Sequence, residues 1–159
     1  MHFQHEYRHR GLHRLFGEKA LVKALIDTNV IVDVLAKREP FFADSALVLD
    51  HAERGDYIAM VCATTITTIF YLVRREYGSE ATVERIKDLT AICGIAPVNR
   101  SVIDSALHSG FADFEDAVLH HSAVLAGADC IVTRNVADFR QSSLLVYSPT
   151  QFLAALGQE

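Results

Sequence analysis

The sequence is short of several things, and each shortage excludes a class of protein. No apolar run approaches the roughly 18 residues of a membrane-spanning helix, so a membrane partner is not expected. The first 21 residues, MHFQHEYRHRGLHRLFGEKAL, have no apolar core of the kind that marks a secretory signal. Cysteine is scarce: Cys62, Cys93 and Cys130 are far apart, odd in number and set in apolar stretches. They read as buried free thiols in a reducing cytoplasm rather than as a disulfide framework or a zinc site. Low-complexity tracts, internal repeats and interdomain linkers are absent. So are three common catalytic signatures: the GxGxxG turn of dinucleotide enzymes, the phosphate-binding P-loop and the GxSxG nucleophile elbow.

What remains is one ordinary globular domain. Its 159 residues are 50% hydrophobic and 22% charged, enough to build a single core. Charge is uneven. Four of the 15 basic and two of the 20 acidic residues fall in positions 1–21, which leaves residues 22–159 with 11 against 18, a net −7. An acidic body does not resemble a DNA-coating protein. It suits a site that gathers carboxylates around a divalent cation, because clustered acids otherwise repel.

Residues 1–21 lack clear periodicity and read as an N-terminal extension, either a poorly ordered leader or a short amphipathic helix through Leu12, Leu15 and Phe16. His5, His9 and His13 recur at i, i+4 and would align if that segment were helical, a basis for adventitious metal binding only. From residue 22 strand and helix alternate. Short apolar strands are expected at 24–26, 57–62, 95–98, 130–133 and 144–147. Helices are expected at 28–37, 40–54 (with Pro40 in its first turn), 65–77, 80–93 capped by Ser79, 101–109 capped by Ser101, 114–126, and from Pro149 through Leu156. Pro97 places the third strand at an edge or its end there. Alternation of this kind predicts an α/β fold, a three-layer α/β/α sandwich with a mostly parallel central sheet, over residues 22–157. Ligands in such folds bind beyond the carboxyl ends of the strands, at a topological switch point.

Acids occur at those ends. Asp27 follows the first strand, where it either points into the crevice or caps the next helix. Asp113 and Asp116 open the sixth helix three residues apart on one face, with Glu115 between them pointing elsewhere; the helix dipole alone would favour acids there. Asn135 and Asp138 follow the fourth strand, where a simple turn is the alternative. Hard oxygen donors without a matching Cys/His set favour Mg²⁺ or Mn²⁺. Carboxylates around such ions commonly activate water for in-line attack on a phosphodiester. His120 lies four residues after Asp116, but a packed helix histidine is the plainer reading.

These residues resemble a family. LIDTNVIVDVL (25–35) with REPF (38–41), TTITTIFYLVRR (64–75), DFEDA (113–117) and GADCIVTRNVADF (127–139) look like a PIN-domain protein of the bacterial group that includes VapC-type toxins. The resemblance covers about residues 23–157. It implies a Mg²⁺- or Mn²⁺-dependent endoribonuclease, often a homodimer, commonly the toxin neutralised by a small antitoxin protein. Carried over by position, Asp27, Asp116 and Asp138 match metal-site acids, and Asn135 a polar neighbour. Asn29, Thr133, Arg134, Asn135 and Thr68 would line the substrate side. The family's second acid usually stands early in the helix after strand two, and here Thr68 occupies that place. If Asp113 faces the site it would compensate, and Asp113→Ala would then weaken metal binding and activity. Arg134, Arg74 and Arg75 are candidates for RNA phosphate contacts, with surface solvation as the alternative. Phe70 and Tyr71 read as core or dimer-interface residues. The contrasting function is a PIN-like RNA- or protein-binding module that does not cut. A phosphatase using Asp27 as nucleophile would want a second acid at Asn29 and is disfavoured.

Overall fold

A computed structural model describes residues 20–157. The N-terminal leader and its histidines therefore lie almost wholly outside the described residues. Five strands form one all-parallel sheet: β1 (Lys23–Ile26), β2 (Ile58–Cys62), β3 (Gly94–Ala96), β4 (Cys130–Val132) and β5 (Leu145–Tyr147), in spatial order β3-β2-β1-β4-β5. Seven α-helices are described: α1 (Thr28–Leu35), α2 (Phe42–Glu53), α3 (Ala63–Tyr77), α4 (Ser79–Ile92), α5 (Arg100–Leu107), α6 (Phe114–Leu125) and α7 (Pro149–Leu156). A 3-10 turn, Val136–Phe139, follows β4.

The two-residue period of a strand sorts side chains into two cores. Ala24 and Ile26 point to one face, where they meet Val30 and Ile31 of α1, Val48 of α2, Ile69 of α3, Leu89 of α4 and Phe152 of α7. Leu25 points to the other, among Val102 of α5, Val118 and Leu119 of α6, Ile131 and Phe139. Ala24, Leu25 and Ile26 are fully buried, as a central parallel strand covered on both faces must be. The three-layer sandwich expected from the alternation is the fold observed. All three cysteines are buried and unpaired, also as expected.

Differences are confined to element ends. Pro40 does not enter α2: the backbone N–H groups of Phe41 and Phe42 both donate to Arg38 O, so a turn precedes the helix. Gly78, at φ +78°, both stops α3 and caps α4, which displaces Ser79 into the helix. Asn99, not Ser101, caps α5, because its extended backbone lets Oδ1 accept from Val102 N at 3.1 Å. At α7, Ser148 and Gln151 form a reciprocal capping box ahead of Pro149. β3 is an edge strand and stops before Pro97, whose carbonyl instead accepts from Ser122 Oγ of α6.

Chain order crosses the sheet once. From β1 the chain steps outward to β2 and β3, then returns to β4 on the other side of β1. The crevice between the carboxyl ends of β1 and β4 is the switch point. Asp27 N donates to Val132 O across it at 2.9 Å.

His120 packs in the second core, stacked on Phe111 with ring centroids 5.2 Å apart and with Nδ1 3.1 Å from Ser142 Oγ. Burial, aided by neighbouring His121, lowers its pKa to about 4. The folded state thus holds His120 neutral, while the unfolded chain protonates it near 6.5. Its contribution is complete above pH 6.5 and is lost as pH falls towards 4. In chemical denaturation, His120→Gln should narrow the stability difference between pH 7 and pH 4.5 by about 2 kcal/mol relative to wild type.

Candidate active site

Asp27 sits at the switch point, 6% exposed. Both readings of it hold at once. Oδ1 accepts from Thr28 N at 2.6 Å, capping α1, while Oδ2 accepts from Thr133 Oγ1 at 2.7 Å. Burial raises its pKa, the bonds from Thr133 and Thr28 oppose that rise, Glu115 adds to it and Arg134 reduces it. Thr133 is fully buried at the end of β4 and is the hub of the crevice. Its hydroxyl donates to Asp27 and accepts from Asn135 N at 3.0 Å and Asn29 Nδ2 at 3.4 Å. A second hydroxyl pair, Thr28 Oγ1 and Thr65 Oγ1 at 2.9 Å, ties the start of α1 to the start of α3.

Across the crevice stands the start of α6. Asp113 is its N-cap: Oδ1 accepts from Glu115 N at 2.8 Å and Asp116 N at 3.2 Å. Asp116 is half-buried, and burial, followed by the charges of Asp27, Asp113, Asp138 and Glu115, pushes its pKa up to about 7. One expectation is corrected here. Glu115 does not point elsewhere: its Oε1 lies 3.5 Å from Thr68 Oγ1, whose hydroxyl has Thr64 O as a nearer acceptor at 3.2 Å, and its charge acts on both Asp27 and Asp116. Thr68 of α3 is thus faced by a carboxylate from α6. Sequence spacing gave Glu115 an angle about its own helix and could not show which neighbour that angle meets. Asp138, exposed in the 3-10 turn, is close enough to act on Asp116.

One arginine is placed differently from expectation. Arg134 is turned inward, with Nε 2.8 Å from Oδ2 of fully buried Asp33. A lone acid in the apolar run VIVDVL (30–35) was the signal for that buried pair. Arg74 lies over Tyr71 at 4.9 Å and Phe70 at 5.7 Å. Tyr71 is 59% exposed and is not a core residue.

Carboxylates from the end of β1, from α6 and from the β4 loop, whose charges add to burial in raising the pKa of Asp116, fit a hard divalent cation in donor chemistry. Among the described residues no three Asp, Glu, His or Cys side chains converge closely enough to hold an ion as they stand. Glu115 and Asp138 are the exposed members of the set.

A PIN domain profile matches residues 23–137, the span from β1 into the first half of the 3-10 turn. The chain belongs to the PIN-domain family. Solved structures agree on the PIN fold. A DNA-bound VapBC from Salmonella typhimurium is 12% identical with a TM-score of 0.62, covering 81% of this chain and 99% of that one. A toxin–antitoxin complex from Klebsiella pneumoniae is 18% identical with a TM-score of 0.61, covering 79% and 97%. VapC20 of Mycobacterium tuberculosis, a toxin that cleaves the sarcin-ricin loop, is 12% identical with a TM-score of 0.56, covering 68% and 86%. Among curated proteins no relative matches this PIN domain.

The crowding of acids has a consequence for stability. Because the folded pKa of Asp116 lies above its ordinary 3.8, the fold favours its protonated form, and stability falls as pH rises from about 4 through 7. This slope opposes that of His120. Without divalent cations at pH 8, Asp116→Asn should therefore be more stable than wild type, on the order of 2 kcal/mol after allowing for solvent screening. Thermal melts in EDTA and in Mg²⁺ would check this. Mg²⁺ should raise the melting temperature of wild type and do little for Asp116→Asn.

Proposed function

We propose that this PIN domain is a metal-dependent endoribonuclease and the toxin of a toxin–antitoxin pair. The observation that carries the reading is the placement of Asp27 after β1, Asp138 after β4 and Asp116 in the first turn of α6, near enough that the charges of Asp27, Asp113, Asp138 and Glu115 disfavour the ionisation of Asp116. Such a concentration of charge costs stability unless a cation offsets it. Asp27, Asp116 and Asp138 are the ligands we assign to Mg²⁺ or Mn²⁺, with Glu115 facing the place where Thr68 stands. A divalent ion held there supplies the charge that acidifies water and offsets charge on the leaving oxygen of an RNA phosphodiester. The chain's own residues orient the site. Thr133 fixes the rotamer of Asp27, and Asp113 aims the first turn of α6 at the crevice. We assign substrate hydrogen bonds to Asn135 and Thr68; Asn135 and Asn29 both bond Thr133.

The partner assignment rests on the neighbours. Structures of this fold include toxins solved in VapBC and FitAB complexes with their antitoxins. A small antitoxin, a homodimeric state and a cytoplasmic location complete the proposal. No described helix is long and apolar enough to cross a membrane.

A second reading, a non-cleaving RNA-binding module, draws on Thr68 and on acids that do not converge as they stand. Cleavage of a mixed structured RNA pool decides between the two. Cutting should require Mg²⁺ or Mn²⁺, stop in EDTA, and drop by at least about a hundredfold in Asp27→Asn and Asp116→Asn. Metal-independent cutting, or none from folded protein freed of any co-purified partner, would sink the nuclease. Glu115→Gln should weaken Mn²⁺ binding, read by calorimetry, by roughly ten- to a hundredfold if it supports the ion.

A further inference from the structure

Arg134 is one of three arginines for which the sequence offered RNA phosphate contact or surface solvation. Its surroundings say otherwise. Its guanidinium lies 4.0 Å from the ring centroid of Phe41, at the turn before α2, and its side chain is only 24% exposed. Nε is 2.8 Å from Oδ2 of Asp33, which is inaccessible to solvent on α1. Ser45 Oγ of α2 donates to the same oxygen at 3.3 Å, while Asp33 Oδ1 and Arg134 Nε are both buried without a hydrogen bond, so arginine and acid meet here as opposite charges. One residue supplies a third tie: Arg134 N donates to Asn29 Oδ1 at 3.3 Å.

A buried carboxylate needs a counter-charge, and Arg134 is the cation paired with Asp33. Arginine suits the place because a planar guanidinium pairs through one edge while its face stacks on a ring. The pairing reaches the chemistry through the backbone. Thr133 precedes Arg134 and holds Asp27, Asn135 follows it, and Asp138 N donates to Asn135 O at 3.0 Å.

We propose that Arg134 is a positioning residue: paired with buried Asp33 and laid on Phe41, it clasps the loop after β4 to α1, setting Thr133, Asn135 and Asp138 against Asp27. It is an internal counter-ion and not a phosphate ligand. The consequence for cleavage rests on the ribonuclease reading; the clasp itself does not.

The test compares wild type with Arg134→Gln, Arg134→Lys, Asp33→Asn and the Asp33→Asn/Arg134→Gln double variant. Amide hydrogen exchange at Arg134 and Asn135 should accelerate at least about tenfold in Arg134→Gln and Asp33→Asn, and no further in the double variant, because the two changes break one contact. Arg134→Lys, which keeps the charge but not the planar stack, should restore protection only in part. With Mg²⁺, kcat should fall by about tenfold or more while KM stays within about twofold, as for a displaced catalytic group. Binding of a single-stranded RNA oligonucleotide in EDTA should keep the wild-type dependence on salt. A salt slope shallower by about 0.7 with unchanged amide protection would make Arg134 a phosphate ligand and overturn the clasp. If the single variants unfold, Asp33→Leu/Arg134→Met replaces the pair with apolar groups that such sites tolerate, and the same exchange readout applies. If wild type neither binds nor cuts RNA, the nuclease reading fails, and amide exchange alone still decides the clasp.

Discussion

The parallel pairing of β1 with β4 is the contact on which the site depends. It is made between segments far apart in the chain: Thr133 and Asp27, whose hydroxyl and carboxylate meet at 2.7 Å, are 106 residues apart. Parallel neighbours need long crossovers, so this pairing exists only because α1 to α6 cover both faces of the sheet. The order of strands reverses at β1, between β1 and β4. Everything polar at the site hangs from that edge. Asp27 ends one strand, Thr133 ends its neighbour, and their hydrogen bond joins them.

Around that edge the protein accepts electrostatic cost. Asp116 is held near pH 7 behaviour by burial and by four other acids, and Asp27 is raised by burial despite two hydrogen bonds. A structural region under no functional demand would scatter such charges. The cost is relieved in two ways. Helix ends absorb part of it, with Asp27 capping α1 and Asp113 capping α6. The remainder is left open at the crevice, where a cation would be most strongly favoured. The neighbouring acid–base pair, Asp33 with Arg134, is closed on itself, and so the two sets of charges serve different ends.

Much of this was legible in the order of residues. Apolar runs such as ALI (24–26) and CIV (130–132) are strands because both faces are covered, and the acids just beyond them fall at the crevice by the geometry of parallel sheets. Pro97 at an edge and Pro149 at the start of the last helix followed from backbone chemistry alone. The misses were of another kind. Asn99 displaced Ser101 as a cap because both are competent caps two residues apart, and only the local backbone chooses. Tyr71 proved exposed because helical spacing assigns a face without saying whether anything covers it.

The sequence by itself determined the elements, their alternation, the family, and the placement of Asp27, Asp116 and Asp138 at strand and helix ends. Those depend on local periodicity, capping chemistry and the handedness of crossovers. Only the tertiary structure decided which side chains face one another. It turned Glu115 toward Thr68, and it turned Arg134 away from the crevice to Asp33. The reason is physical. A residue's angle about its own helix is set by its position in the chain, but its partner is set by how two helices pack against one sheet, and that is a property of the whole fold.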